Sequence, residues 1–136
     1  MTKPDLDPDI VEEPYPFQSH LGFDFDAWRP DYCRLVLPLA PALMNRYGIP
    51  HGGIHAAMLD SAMGFAGCYT GNRDAPLLAM TLSLNVNYLG QAHGGTLITE
   101  GTRTGGGRKT FFAEGRVTDD HGTLVATGTG VFRYRG

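Results

Sequence analysis

The stretch HGGIHAAMLDSAMGFAGCY, residues 51–69, decides the fold. It contains no proline, and its apolar residues recur at steps of three and four, which is the period of an α-helix. Many of the other positions are alanine or glycine, so the helix is slim and its neighbours can approach it closely. The sequence therefore predicts one long helix over residues 51–69 that is enclosed by a sheet.

Strand-like segments flank this helix on both sides. Residues 22–28 and 32–39 precede it, and residues 78–88 alternate apolar with polar side chains after it. Glycine-rich turns then separate three further segments, 96–104, 109–118 and 123–134. Four glycines inside these strands mark places where a sheet bends or another backbone approaches: Gly101, Gly115, Gly128 and Gly130. We predict an antiparallel α+β domain whose last four strands form a meander.

Length and composition favour an ordinary globular chain. At 136 residues, with 42% hydrophobic and 18% charged residues, the chain is one domain's worth and is neither disordered nor membrane-spanning in character. Residues 1–16 hold four prolines and five acidic residues, a composition that does not support a helix or a ladder strand. We expect a flexible, acidic and proline-rich arm over residues 1–16 and a single domain over residues 17–136.

Charge and targeting signals narrow the classes of partner. The chain has only two lysines and a net charge of −3, which disfavours nucleic acid as a partner. It shows no cationic, apolar leader and no run of eighteen apolar residues, so we predict no membrane partner and a cytoplasmic location. Cys33 and Cys68 have no metal or disulfide spacing, and we expect both to be buried thiols in a reducing compartment.

Asp60 and the segment before the helix contain the candidate catalytic residues. A carboxylate in the middle of a slim helix is either a solvated surface group or a general base or nucleophile held beside a cleft. Upstream, Asn45 and His51 precede Gly52 and Gly53, whose backbone N–H groups lie at the predicted helix start. Such a terminus stabilises the negative charge that develops on an ester or thioester carbonyl. The alternative for the two glycines is that they only reverse the chain direction. The alternative for His51 is that it caps the helix.

Three motifs make the chain resemble a known family. They are Asn45-x5-His51-Gly52-Gly53, the segment MLDSA around Asp60, and the strand MTLSLNVNY over residues 80–88. Over roughly residues 17–134 the sequence resembles the hotdog-fold acyl-CoA thioesterases of the phenylacetate-degradation (PaaI-like) type. The resemblance implies an antiparallel six-stranded sheet wrapped around one long central helix. It also implies a homodimer that joins two sheets edge to edge, often doubled into a homotetramer, with active sites at the dimer interface.

The resemblance also implies roles for individual residues. The Gly52 N–H polarises the thioester carbonyl, and Asn45 and His51 help to hold that carbonyl. Asp60, reaching in from the partner subunit, activates water or attacks the carbonyl directly. Thr81 stands where some relatives have a water-orienting serine; threonine keeps the hydroxyl and adds a methyl group.

A basic, glycine-rich turn is the candidate site for coenzyme A. Three glycines lead into Lys109, one of the two lysines, beside an arginine, and positive charge with exposed N–H groups suits a phosphate. In relatives a basic segment here lies near the nucleotide or pantetheine part of coenzyme A. A solvated hairpin is the alternative. The candidate binding residues are Gly107, Arg108, Lys109 and Thr110.

These observations predict a hydrolase that cleaves acyl-CoA or aroyl-CoA thioesters to the free acid and coenzyme A. Coenzyme A enters as part of the substrate, and no cofactor is expected. His51 and His55 have helical metal-pair spacing, but an obvious third ligand is missing, so we expect no metal. Two alternatives stay open: a non-catalytic module that binds CoA esters, and a thioesterase that acts on an acyl group bound to a carrier protein.

Overall fold

The computed structural model describes residues 3–135 of the chain. The elements in chain order are α1 (Pro16–Leu21), β1 (Asp24–Arg29), β2 (Tyr32–Pro38), a short 3-10 helix (Pro41–Leu43), α2 (Gly52–Ala66), β3 (Ala79–Tyr88), β4 (Thr96–Gly106), β5 (Thr110–Asp119) and β6 (Leu124–Tyr134). The predicted α+β class, with six strands and one long helix, is confirmed. No helix within residues 3–135 combines the length and apolarity needed to cross a bilayer. The cytoplasmic location stays a prediction.

The six strands form one antiparallel sheet in the order β1-β2-β4-β5-β6-β3. Strands β4, β5 and β6 form the expected meander, but the prediction that β3 begins it is wrong, because β3 pairs with β6. The seven residues 89–95 between β3 and β4 exceed a tight hairpin loop and can span up to about 24 Å. That reach exceeds the roughly 14 Å across three strand spacings, so the chain can cross to the far side of the meander.

Helix α2 lies on one face of the sheet and contacts every strand. Its inward side chains are fully buried and form the centre of the core: Met58, Leu59, Ala62 and Met63. The helix ends at Ala66, three residues before the predicted end, where Tyr134 Oη donates a 2.7 Å hydrogen bond to the Gly67 carbonyl. A Cβ atom at Gly67 would lie 2.2 Å from the Phe111 ring, so the helix end fits only glycine.

Glycines in the strands let the sheet approach the helix backbone. A Cβ atom at Gly101 would lie 2.5 Å from the backbone carbonyl of Ala62, and one at Gly115 would lie 3.0 Å from the Leu59 side chain. Because the Gly101 distance is far below van der Waals contact with a backbone atom, the sheet and α2 can pack this closely only with hydrogen at Gly101. The predicted close backbone approach at Gly101 is confirmed.

The described part of the predicted arm, residues 3–16, packs against the domain. Ile10 is buried in the core, and the backbone N–H of Trp28 donates a 3.0 Å hydrogen bond to the Asp5 carbonyl. This bond places the segment along the outer edge of β1 and partly covers that edge. The first helix begins at Pro16, so the division at residue 16 falls where a regular element starts. The division into a flexible arm and a domain stays a prediction.

Strand β3 is the uncovered edge of the sheet. Its hydrogen bonds run to β6 on one side only, and it pairs with no strand on its other side within residues 3–135. It exposes large apolar side chains, among them Leu82 at 56% and Met80 at 47% of their accessible surface. An apolar, unpaired strand edge is unstable in water and favours pairing with another chain.

We predict that Gly101→Ala destabilises the protein by about 1 to 3 kcal/mol, because the added methyl group overlaps the Ala62 backbone. Chemical denaturation of the variant and the wild type measures the difference. Gly95→Ala is the matched control, since a Cβ atom at Gly95 meets nothing within 4 Å. Equal stabilities for Gly101→Ala and Gly95→Ala would contradict the close approach of helix and sheet.

Candidate functional site

Asp60 and Thr81 are brought together at the side of α2 that faces β3. Thr81 Oγ1 donates a 2.6 Å hydrogen bond to Asp60 Oδ1, although the two residues are 21 positions apart. Asp60 is half-buried on the helix, and a β-bulge follows Thr81 in β3. The hydrogen bond fixes one oxygen of the carboxylate and leaves the other free to accept from a ligand or water.

A cavity of about 370 Å³ opens beside this pair. Asp60 and Thr81 both line it, together with two further polar residues, Glu12 and Ser61. The remaining lining residues are apolar or aromatic: Tyr15, Gly64, Phe65, Cys68, Leu77, Leu78, Ala79 and Phe132. Apolar walls around a few polar groups are typical of a small-molecule site. A larger groove of about 460 Å³ lies on the opposite face of the sheet, with polar walls that include Glu114 and Arg116, and none of the predicted catalytic residues lines it.

The start of α2 presents an unpaired donor. His51 accepts hydrogen bonds from two nearby N–H groups. Its Nδ1 accepts from the Gly53 N–H at 2.8 Å, and its carbonyl accepts from the Ile54 N–H at 2.9 Å. Within the described residues the Gly52 N–H has no hydrogen-bond partner. A free N–H at the positive end of a fifteen-residue helix is a ready donor to an oxyanion. The capping role that the sequence left open for His51 is therefore present.

Tyr88 ties the helix start to the far end of β3. Its hydroxyl donates a 2.7 Å hydrogen bond to the Gly52 carbonyl, and its ring would lie 3.3 Å from a Cβ atom at Gly52. The neighbouring His55 is buried, and burial lowers its pKa, so its imidazole is neutral at pH 7. The sequence offered no signal for these contacts, because they depend on where β3 ends relative to α2.

Asn45 holds the loop that leads into the helix. Its Oδ1 accepts from the Tyr47 N–H at 2.8 Å and the Ile49 N–H at 3.3 Å. This turn places residues 45–49 just before the helix start, and the His51 N–H bonds back to the Leu43 carbonyl at 2.9 Å. Asn45 therefore orders the loop, and the structure does not bring it to Asp60.

Gly52 and Asp60 of one chain are too far apart to act on one carbonyl group. They are eight positions apart on the same helix, which is about 12 Å along its axis. Polarising a carbonyl oxygen and delivering water to its carbon requires two groups that each lie about 3 Å from the reacting atoms. One chain thus carries two halves of the expected site at separate places.

The turn between β4 and β5 carries the predicted coenzyme A residues. Gly107, Arg108 and Lys109 are exposed, and the Gly107 N–H bonds to the Thr110 carbonyl at 2.8 Å, which closes the hairpin. None of the four lines the cavity beside Asp60. The register from Thr110 to Arg133 and on to Met80 places this turn at the end of the sheet where β3 begins. That end is the one that carries Thr81.

Among residues 3–135, no three histidine, cysteine or acidic side chains come together as metal ligands. Cys33 and Cys68 are both buried free thiols, as expected, and burial raises the pKa of Cys68 to about 11. Both thiols are therefore protonated at neutral pH.

The sequence reasoning missed Glu12 and Tyr15. Both line the cavity beside Asp60, although they belong to a segment that the sequence predicts to be an arm.

The chain is similar in sequence and in structure to known proteins. The family model described as "Thioesterase superfamily" matches residues 47–126. In Mycobacterium tuberculosis, the protein Rv1847, provisionally named an esterase, is 39% identical over 51 residues. That match covers 38% of this chain and 36% of Rv1847, so the chain matches about a third of the length of this curated relative.

Solved structures match over nearly the whole chain. Conserved protein PA5202 from Pseudomonas aeruginosa is 25% identical with a TM-score of 0.80, covering 93% of this chain and 97% of that one. The structure of Rv1847 has a TM-score of 0.79 at 24% identity, covering 89% and 97%. The PaaI protein of the Escherichia coli phenylacetic acid degradation operon has a TM-score of 0.77 at 17% identity, covering 88% and 84%. The last two likenesses show a shared fold.

Proposed function

The chain belongs to the thioesterase superfamily and has its hotdog fold, and we propose that it hydrolyses acyl-CoA or aroyl-CoA thioesters to the free acid and coenzyme A. The observation that carries this proposal is the 2.6 Å hydrogen bond from Thr81 to Asp60 beside an apolar cavity. It combines an oriented carboxylate with a space suited to an acyl group. The substrate is a small molecule, and the reaction takes no metal ion or further cofactor.

Asp60 supplies the base or the nucleophile. As a base, its free oxygen removes a proton from water while the water oxygen bonds to the thioester carbon. The carbon–sulfur bond then breaks, and the thiolate of coenzyme A takes up the proton. As a nucleophile, an Asp60 oxygen bonds to the thioester carbon while the carbon–sulfur bond breaks and coenzyme A leaves as the thiolate. Water then hydrolyses the mixed anhydride, which restores the Asp60 carboxylate, releases the acid and supplies the proton that the thiolate takes up. In both routes Thr81 holds the carboxylate in position.

The start of α2 stabilises the developing oxyanion. The free Gly52 N–H points out of a helix terminus that carries partial positive charge, and such donors stabilise tetrahedral intermediates. His51 and Asn45 act here by positioning, since their hydrogen bonds fix the first turn of α2 and the loop before it.

Two copies of the chain complete each site. Strand β3 contacts Asp60 near its beginning, through Thr81, and Gly52 at its end, through Tyr88. If two uncovered β3 edges pair in antiparallel fashion about a two-fold axis, the end of one strand lies beside the beginning of the other. Gly52 of one chain then faces Asp60 of the partner subunit. Such pairing also covers the exposed apolar residues of β3. Association of two dimers into a tetramer stays a prediction.

We predict that Asp60→Asn lowers kcat for thiol release by at least about a hundredfold, because an amide cannot accept the proton. A colorimetric thiol assay over short, long and aromatic acyl-CoA esters measures this. Asp74→Asn, the same change in an exposed loop, is the matched control and should keep wild-type activity.

Two results would contradict this part of the proposal. Unchanged kcat in Asp60→Asn would remove Asp60 from the reaction. If the folded wild type binds coenzyme A and releases no thiol from any ester, the CoA-ester-binding module or a carrier-protein substrate becomes the better reading.

The shared site predicts complementation between two inactive variants. Gly52→Val blocks the approach to the helix start, and Asp60→Asn removes the base, so each homodimer is inactive. Purified mixed dimers should recover about half of wild-type activity, because one of the two sites in each combines an intact Gly52 with an intact Asp60. Co-expression of differently tagged chains and assay of the doubly purified protein measures this. Mixed oligomers as inactive as both parents would show that the two residues do not act across an interface.

Arg108 and Lys109 bind the phosphates of coenzyme A in this proposal. The double variant Arg108→Gln, Lys109→Gln should raise KM for an acyl-CoA about tenfold, the size of one charge-assisted hydrogen bond, and leave KM for the matching acyl-pantetheine unchanged. Steady-state kinetics with both esters measures this. Equal KM values for wild type and variant on acyl-CoA would show that the turn is a solvated hairpin that does not bind coenzyme A.

A further inference from the structure

The cavity beside Asp60 has one wall that comes from outside the family match. Residues 47–126 carry that match, whereas Glu12 and Tyr15 belong to the segment before α1. Both residues line the same cavity as Asp60 and Thr81. The N-terminal segment therefore forms part of the space that an acyl group enters, provided that the proposed function holds.

Tyr15 is a fixed part of this wall. It lies between Pro14 and Pro16, which restrict its backbone, and α1 begins directly after it. Its ring packs edge-on against Phe23, with centroids 6.1 Å apart, and lies tilted against Phe65, with centroids 6.3 Å apart. Aromatic contacts on two sides hold the ring in one orientation.

Tyr15 also separates the cavity from the space behind it. Tyr15 and Phe65 line a second, much smaller cavity that is bounded by Phe25 and Trp28. The rings of Tyr15 and Phe65 thus form a wall that the two spaces share, and the Tyr15 hydroxyl lies beside the Ser61 side chain. Burial raises the pKa of Tyr15, so its side chain is uncharged at neutral pH.

The ionisable residues that line the cavity include acidic side chains and no basic ones. Its lining residues include two carboxylates, Asp60 and Glu12, and contain no lysine, arginine or histidine. An acyl group with a terminal carboxylate is repelled by Asp60 and Glu12, and the lining residues of this chain offer no cation to compensate. The cavity therefore favours an uncharged acyl group.

We propose that Tyr15 sets the upper limit of acyl length, and that the cavity accepts a short, uncharged acyl group. The volume of about 370 Å³ is roughly two and a half times that of a cavity that holds a benzene ring, which leaves room for a short-chain or ring-sized group beside the thioester. A longer chain collides with the Tyr15 ring.

Kinetics on straight-chain esters from acetyl-CoA to dodecanoyl-CoA tests the length limit. Tyr15→Ala should move the highest kcat/KM to a longer ester, with a gain of about fourfold for each methylene group newly accommodated. Tyr15→Phe keeps the ring and should keep the wild-type preference. Phe17→Ala removes an exposed aromatic residue two positions away that does not line the cavity, and it should also keep that preference. An unchanged preference in folded Tyr15→Ala would overturn the proposal.

A second pair of esters tests the charge selection. Wild-type kcat/KM for glutaryl-CoA should be at least about tenfold below that for pentanoyl-CoA, which has the same chain length without the terminal carboxylate. Equal values would overturn this part of the proposal.

The test also separates this proposal from the proposed function. If the wild type hydrolyses no ester, the proposed function fails, and titration calorimetry with the same esters replaces the kinetics. Tyr15→Ala should then shift the chain length that binds most tightly, and an identical binding series for wild type and variant would overturn the role of Tyr15.

Discussion

The close contact between α2 and the sheet is the constraint on which the rest of the structure depends. The sheet reaches the helix backbone at Gly101, where a Cβ atom would lie 2.5 Å from the Ala62 carbonyl. A helix held this firmly is a rigid support for any group on its free side. Asp60 projects from that side and meets Thr81 at 2.6 Å, and a rigid element positions a catalytic group better than a loop does.

The length of the same helix explains why a second copy is needed. Its N-terminus supplies an unpaired N–H, and its middle supplies a carboxylate about 12 Å away. Strand β3 contacts both places, through Tyr88 and Thr81, and it is also the uncovered apolar edge. One strand therefore links the two half-sites to the surface that favours pairing. In this account, association and catalysis use the same element.

Much of the fold could be predicted because the sequence carries local periodicities. The helical spacing of residues 51–69 and the alternation of residues 78–88 depend only on the chain itself. The position of β3 beside β6 could not be predicted, since it depends on the reach of the connection at 89–95. Asp60 is a candidate from its place in the slim helix and Thr81 through the resemblance, and the structure adds their contact. Tyr15 was missed because a proline-rich, acidic composition indicates a mobile arm, whereas its ring packs on Phe23 and Phe65.

The most direct test of the central claim is a crystal structure of the protein with an acyl-CoA analogue whose thioester sulfur is replaced by a methylene group. The account predicts that the ketone oxygen accepts a hydrogen bond from the Gly52 N–H of one chain. It also predicts that the ketone carbon lies within one water molecule of Asp60 of the partner subunit, and that the acyl group occupies the cavity walled by Tyr15. An analogue bound with its carbonyl group away from both Gly52 and Asp60 would contradict the account.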